Sequence, residues 1–310
     1  MVEQFTTDRR GWRSHLRGDL VSWLLEPANP SARYLTLRHV LRRPEGDPNV
    51  AEARAGILRA APAALILSAQ WPDGYWVTPD RGYTPRYRAT VWQILFLAQL
   101  GAPRDERIER ACEFVWGHSR RDDGLFTPHK RPRLSDLANL NGNLLWALAH
   151  FGYAGDPRVE QVLEGLAGLD LERLFSAGSI DSLVKLAKGL RALSVELPAT
   201  LQSFLEDAIA FVASSLAQTG DKGRLRFGFP LAEQTDLLEM LALVQGADGS
   251  HASAVESVLD LVVQKQDEAG RWRLETVPGK MWASFGELGQ ANKWVTIRAL
   301  RILRTFWEVM

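Results

Sequence analysis

Apolar residues recur along this chain with helical spacing, in two alternating kinds of segment. Stretches 88–101 (RATVWQILFLAQLG), 137–152 (LANLNGNLLWALAHFG), 181–195 (DSLVKLAKGLRALSV), 233–246 (EQTDLLEMLALVQG) and 292–307 (NKWVTIRALRILRTFW) are apolar on more than one face, as helices buried among other helices are. Between them run 107–119, 159–169, 200–218 and 252–266, each with one apolar stripe and one polar face, the pattern of an outer helix. An earlier pair, 31–43 and 50–70, fits the same alternation, with Pro62 expected to kink or break the second. Short turns lead from inner to outer segments, with Asp105 and Asp156 placed to start the next helix. No stretch alternates like a β-strand. The pattern predicts an all-α chain with a single domain over 1–310, residues 1–30 forming an N-terminal helix or cap. About six helical hairpins, repeating every 50 residues or so, would close into an (α/α)6 toroid with the apolar helices inside.

The outer-to-inner connections are longer and share a frame, Q-x-x-D-G-x-W. Residues 70–76 (QWPDGYW) show it in full, 120–126 (RRDDGLF) keeps Asp123, Gly124 and Phe126, and 266–272 (QDEAGRW) keeps Gln266, Gly270 and Trp272. A looser copy spans 218–225, with Gly223 in the glycine place, and a decayed one, 171–175, retains only the aromatic. The frame has a mechanical meaning. Glutamine ends an outer helix, glycine takes a left-handed turn, and the aromatic folds back over the helix end, its indole N–H finding a carbonyl. A motif that returns in successive hairpins is a clasp between them rather than an active site.

Gln70, Asp73, Gly74 and Trp76, with Gln266, Gly270 and Trp272, resemble the QW motifs of squalene–hopene and oxidosqualene cyclases. Segments 227–230 (FGFP), 234–241 (QTDLLEML), 279–282 (GKMW) and 293–303 (KWVTIRALRIL) are similar to those of small bacterial single-toroid proteins of the squalene-cyclase-like or prenyltransferase-like kind. The resemblance implies the six-hairpin toroid that protein prenyltransferase β-subunits also share, and a terpenoid or similar ligand in a central hydrophobic cavity. It does not carry the chemistry with it. The D-x-D-D proton donor is absent, Asp122-Asp123 is followed by Gly-Leu-Phe rather than by a D-D-x-x-D magnesium motif, and the single cysteine, Cys112, falls in an outer helix.

Composition narrows the classes further. The chain has 310 residues, a formal net charge of zero and 24% charged residues, which speaks against a general electrostatic grip on nucleic acid. One cysteine precludes an intramolecular disulfide framework and fits a reducing, cytoplasmic setting. The N-terminus reads as polar without a signal peptide, and no apolar run approaches a membrane span. No metal-ligand spacing occurs among the six histidines, and no phosphate loop, G-x-G-x-x-G or G-x-S-x-G is present, so neither a metal nor a cofactor is expected.

The remaining signal is a set of polar and aromatic residues near the starts of inner helices: Tyr87, Arg88, Asn143, Asp181, Lys185, Gln234, Asp236, Lys293 and Trp294. In a toroid these starts share one rim, where helix N-termini favour an anion. Trp92 and Trp146 would line the wall below. Two readings stand side by side. In one, a terpenoid-cyclase-like enzyme grips an anionic isoprenoid or lipid, and Asp236 or Asp181, its pKa raised by burial, donates a proton. In the other, a non-catalytic protein carries a small hydrophobic or amphiphilic ligand. A glycoside hydrolase built on an α/α barrel, with Asp181 and Asp236 as its carboxyl pair, is a more distant alternative. The charges also have a plain structural use: Asp181 and Asp236 pairing with Arg88, Lys185 or Lys293. A deep carboxyl group without a basic partner would favour the enzyme, and fully paired carboxylates the carrier.

Overall fold

A computed structural model describes residues 15–177, 179–216, 223–245 and 252–309. Among these the chain is helical, and the only β-type pairings are isolated bridges such as Arg120–Phe126 and Gly228–Thr276. The first elements are α1 (Leu20–Leu24), α2 (Pro30–Leu35) with a π-helical turn (Thr36–Val40), α3 (Pro48–Gly56) and α4 (Ala63–Ser68). Pro62 separates α3 from α4, as its missing N–H requires. The next elements are α5 (Thr90–Gln99), α6 (Glu106–His118), α7 (Leu134–His150), α8 (Pro157–Ala167), α9 (Glu172–Ser176) and α10 (Ile180–Ala192). The last are α11 (Ala199–Leu216), α12 (Leu237–Leu243), α13 (Ala252–Gln264) and α14 (Lys293–Val309). Asp105 and Asp156 cap α6 and α8 by accepting from the first-turn amides.

Burial separates the two classes of helix. Every residue of α5 from Thr90 to Ala98 is buried, whereas α6 and α8 bury one face each. The inner helices touch in order: α5 packs on α7, α7 on α10, α10 on α12, α12 on α14, and α14 on α2 and its π-turn. The Ser31 hydroxyl, at the start of α2, donates to the Leu100 carbonyl at the end of α5 (2.8 Å) and accepts from the Trp294 indole of α14 (3.0 Å). The order of contacts thus returns to where it began.

The clasps have the geometry their sequence suggests. Trp76 donates its indole N–H to the Ile66 carbonyl (2.8 Å), and Trp272 does the same to Val262 (2.7 Å). Gln70 reaches the Arg107 carbonyl at the start of the next outer helix, α6 (2.9 Å). Gln266 instead reaches the His15 carbonyl (2.9 Å) and accepts from the Arg17 amide (3.1 Å), tying the last hairpin to the beginning of the described chain. Gly270 has φ +79°, and a Cβ there would lie 1.7 Å from the Arg17 carbonyl oxygen, so this turn needs glycine for its conformation and for its close approach. The copy at 218–225 falls mostly outside the described residues. The decayed copy at 171–175 overlaps the short helix α9, whose Phe175 packs on Phe204 and Phe211.

Two inner helices, α7 and α10, meet more closely than the rest. A Cβ on Gly142 would stand 2.2 Å from the Lys185 carbonyl oxygen, and one on Gly189 would stand 2.4 Å from the Gly142 carbonyl oxygen. Backbone therefore rests on backbone at this crossing. That fixes the register of α10, and with it the positions of Lys185 and Lys188.

Candidate functional site

The rim expected at the starts of the inner helices is occupied by the protein itself. Residues 233–236, expected to open an inner helix, instead belong to a connecting segment, because Asp236 is the N-cap of α12 and accepts from the Glu239 amide (3.0 Å). The segment from Phe227 to Thr235 crosses the space between the inner helices. It exchanges two hydrogen bonds with Gln99 of α5 through Leu231 (both 2.7 Å) and accepts from Asn139 and Asn143 of α7. Its Thr235 amide donates to Asp181 of α10 (2.8 Å), and its Gly228 carbonyl accepts from Arg298 of α14 (2.7 Å).

This segment engages most of the residues expected to face a ligand. Tyr87 donates its hydroxyl to Glu233 (3.1 Å), Asn143 donates to the Ala232 carbonyl (3.1 Å), and Trp294 stacks on Phe229 with ring centroids 5.3 Å apart. Trp92 is buried and donates to the Tyr83 carbonyl (2.8 Å). Arg88 lies 4.0 Å over the Trp282 ring, and Gln234 is exposed. Lys293 donates to the Trp23 carbonyl and to Glu26, both at 2.7 Å, and so anchors α1. At this end the centre is packed: Phe96, Phe229, Phe285 and Trp294 form one aromatic cluster.

Both carboxylates expected at the site are engaged. Asp236 takes a two-pronged contact from Arg298 (2.6 and 2.7 Å) and accepts from the Gly228 amide (3.1 Å). Asp181 pairs with Arg224 at 3.0 Å. Neither uses Arg88, Lys185 or Lys293, the partners suggested by the sequence. Lys185 is wholly buried and donates to Glu239, a residue with no role in the sequence reading. Lys188, one turn on, takes the other oxygen of Glu239 at 3.0 Å, and the Thr235 hydroxyl donates to the oxygen that Lys185 holds (2.6 Å). Burial works to raise the Glu239 pKa, but the two lysines outweigh it and hold the carboxyl well below its ordinary range.

Away from the rim lies a second cluster of polar and aromatic side chains. Lys188 and Arg301 each lie about 12 Å along their helices from the first residues, Ile180 and Lys293. Neighbouring groups link its members in pairs. Lys188 sits 4.1 Å over the Trp146 ring, and Trp146 stacks at 6.4 Å on His150. The charges of Arg301 and His150 disfavour protonation of His39, and the charge of Arg298 does the same to Arg301 and Lys188. His39 belongs to the π-helical turn, a form of backbone frequent at functional sites.

These side chains combine water access with desolvation. Arg301 and His39 are exposed, and Lys188, Arg298, Trp146 and His150 are partly so. Yet burial drives the Arg301 pKa down, drives His39 to about 3 and Lys188 to about 8, and lowers His150. Among the described residues the Arg301 guanidinium has no carboxylate or hydrogen-bond partner, and Arg298 lowers its pKa further.

The histidines give this cluster a pH signature. His39 and His150 bind protons less readily when folded than when unfolded, chiefly because burial disfavours the charged form. The unfolded chain therefore binds more protons below pH 6.5, and stability falls as pH drops through that value toward the folded pKa near 3. Glu239 adds its own acid loss only from its ordinary value of 4.5 downward. Urea denaturation between pH 6.5 and 4.5 is thus expected to show declining stability that His39→Gln flattens. An equal slope in the variant would place the titration elsewhere.

The only cysteine, Cys112, is buried, and desolvation pushes its thiol up to about 12, which leaves it unreactive. Among the described residues no cluster of His, Cys, Asp and Glu is placed to hold a metal ion, and no helix is long and apolar enough to cross a membrane. The chain matches no protein-family model and no curated protein.

Proposed function

We propose that the chain is a closed α/α toroid of the terpenoid-cyclase and prenyltransferase-like kind that binds an amphiphilic anion in a recess between α7, α10, α14 and the π-helical turn. The cyclic order of helix contacts, the Ser31 bridge between α5 and α14, and the Gln266 clasp to the chain start support ring closure. A phosphate or carboxylate head lies against Arg301, with Arg298 and Lys188 beside it, and the apolar part lies on Trp146.

One observation carries this reading: Arg301 is a water-accessible, desolvated guanidinium without a partner among the described residues. A guanidinium without a protein partner is free to take an anion with two acceptor oxygens. The carboxylates favour binding over proton-initiated cyclisation. A proton donor must be held neutral, whereas Asp236, Asp181 and Glu239 each face a base.

Titration calorimetry with inorganic diphosphate and with decyl phosphate tests the reading. Both are expected to bind with one site per chain, decyl phosphate more tightly because its chain covers Trp146. Arg301→Gln is expected to weaken both by about tenfold or more, roughly 1.4 kcal/mol. Unchanged affinity in that variant would move the anion site elsewhere.

A further inference from the structure

Basic residues gather in the loops that lead into α5 and α7. The loop before α5, residues 78–88, carries Arg81, Arg86 and Arg88 against a single acid, Asp80. The stretch before α7, residues 127–133 (TPHKRPR), carries Lys130, Arg131 and Arg133 and contains no acid. Lys280 follows Gly279 in a third loop. The whole chain has zero formal charge, so this concentration is local.

Short contacts hold the three loops side by side. The Ser119 hydroxyl donates to the Arg81 carbonyl (2.6 Å), and the Ser119 carbonyl accepts from the Thr127 amide (2.8 Å). The Trp282 indole donates to the Arg88 carbonyl (2.8 Å), and a Cβ on Gly279 would lie 2.9 Å from the Tyr87 ring. Some of the cations are answered within this rim: Arg133 by Asp136 (3.0 Å), Arg86 by Glu233 (3.3 Å) and Arg88 by the Trp282 ring. Lys130, Arg131 and Lys280 are exposed, with no carboxylate partner among the described residues.

The chain itself supplies an example of what this rim accepts. The Glu233 carboxylate takes the Tyr83 hydroxyl on one oxygen (2.6 Å) and the Tyr87 hydroxyl on the other (3.1 Å). Burial, with the charge of Glu233, raises the pKa of both hydroxyls and keeps them protonated as donors. The backbone that leads to Glu233 is held by carboxamides. Gln99 bonds the amide and the carbonyl of Leu231, Asn143 donates to the Ala232 carbonyl, and Asn139 donates to the Glu233 carbonyl (2.8 Å). Residues 231–233 thus lie as a short acidic peptide would.

We propose that this rim docks an extended acidic segment of a partner protein, its carboxylates on Lys130, Arg131 and Lys280 beside Glu233. The proposal goes beyond the anion-binding reading above and does not depend on it. A peptide fits better than a lipid surface or a nucleic acid. Insertion into lipid needs exposed apolar side chains, and Leu65, Trp71, Val195 and Leu288, the large exposed ones among the described residues, all lie outside these loops. Nucleic-acid binding draws on many phosphate contacts. Here the unanswered cations are few, and they adjoin hydroxyl and carboxamide groups already fitted to a carboxylate and a peptide backbone.

Fluorescence anisotropy of a labelled oligoglutamate peptide with the full chain tests this. Binding is expected at low salt. It should weaken about tenfold as ionic strength rises from about 0.01 to 0.15 M, over which the screening length falls from about 30 to 8 Å. At fixed salt, the double variant Lys130→Glu, Arg131→Glu is expected to weaken binding about tenfold or more without moving the thermal midpoint. Arg43→Glu, Arg59→Glu makes the same change in net charge at exposed cations outside these loops and is expected to bind as the parent does. Equal loss in the two double variants would reduce the effect to net charge and overturn the proposal, as would no binding at low salt. Mixed phosphatidylglycerol–phosphatidylcholine vesicles and single-stranded DNA are the competing probes. Tighter binding of either than of oligoglutamate would overturn the proposal in favour of that partner.

Discussion

Asp236→Asn is expected to destabilise the folded chain by about 3–5 kcal/mol, the range for removing one member of a buried ion pair. Asparagine caps a helix as well as aspartate does, so the α12 cap and the bond from the Glu239 amide survive the change. What is lost is the negative charge under Arg298. That guanidinium is 16% exposed and makes both of its carboxylate contacts to Asp236. Its remaining acceptor is the Gly228 carbonyl, and the nearby Lys188 and Arg301 are also cationic. The substitution strands a positive charge among positive charges. Asp156→Asn, an N-cap at the protein surface, is the control and should cost less than about 1 kcal/mol. Urea denaturation reads both. A near-neutral Asp236→Asn with full folding would instead fit a carboxyl group reserved for chemistry.

Gly142→Ala carries the second large effect, about 3 kcal/mol or more, because the added methyl meets backbone rather than a movable side chain. Its Cβ would fall 2.2 Å from the Lys185 carbonyl oxygen, so α7 and α10 must move apart. Helix propensity alone would make the change favourable by about 1 kcal/mol, which sharpens the test. Gly117→Ala in α6 has nothing within 4 Å of the new Cβ and should be neutral or stabilising. Separation of α7 from α10 also shifts Lys188 away from Trp146, so diphosphate affinity should fall together with stability. Loss of neither in Gly142→Ala would contradict the backbone contact.

The helices were legible because their apolar spacing is a local property. The segments at 88–101, 107–119, 137–152 and 159–169 became α5 to α8, with Asp105 and Asp156 as caps. The clasps at 70–76 and 266–272 were legible because each depends on a glutamine, a glycine and an indole within seven residues. The second cluster was not. Arg298 and Asp236 are 62 residues apart in the chain, and nothing near either residue indicates the other. Lys188 lies in the same helical stretch as Lys185, and only the packing of the folded chain leaves one 21% exposed and the other wholly buried against the same Glu239. The segment 227–235 misled the reading of the rim. Asn143 and Tyr87 have the polarity of ligand-binding residues, and they spend it on that segment's backbone and on Glu233. One signal was available: glycines 142 and 189 inside otherwise strong helical patterns, where glycine is costly unless another backbone approaches.

The most direct measurement is a crystal structure of the protein grown with decyl phosphate near saturation. The expected result is a phosphate within hydrogen-bond distance of Arg301, its alkyl chain against Trp146, and the Phe227–Thr235 segment in place across the opposite end. A recess filled by the protein's own side chains, with Arg301 turned onto a carboxylate, would contradict it.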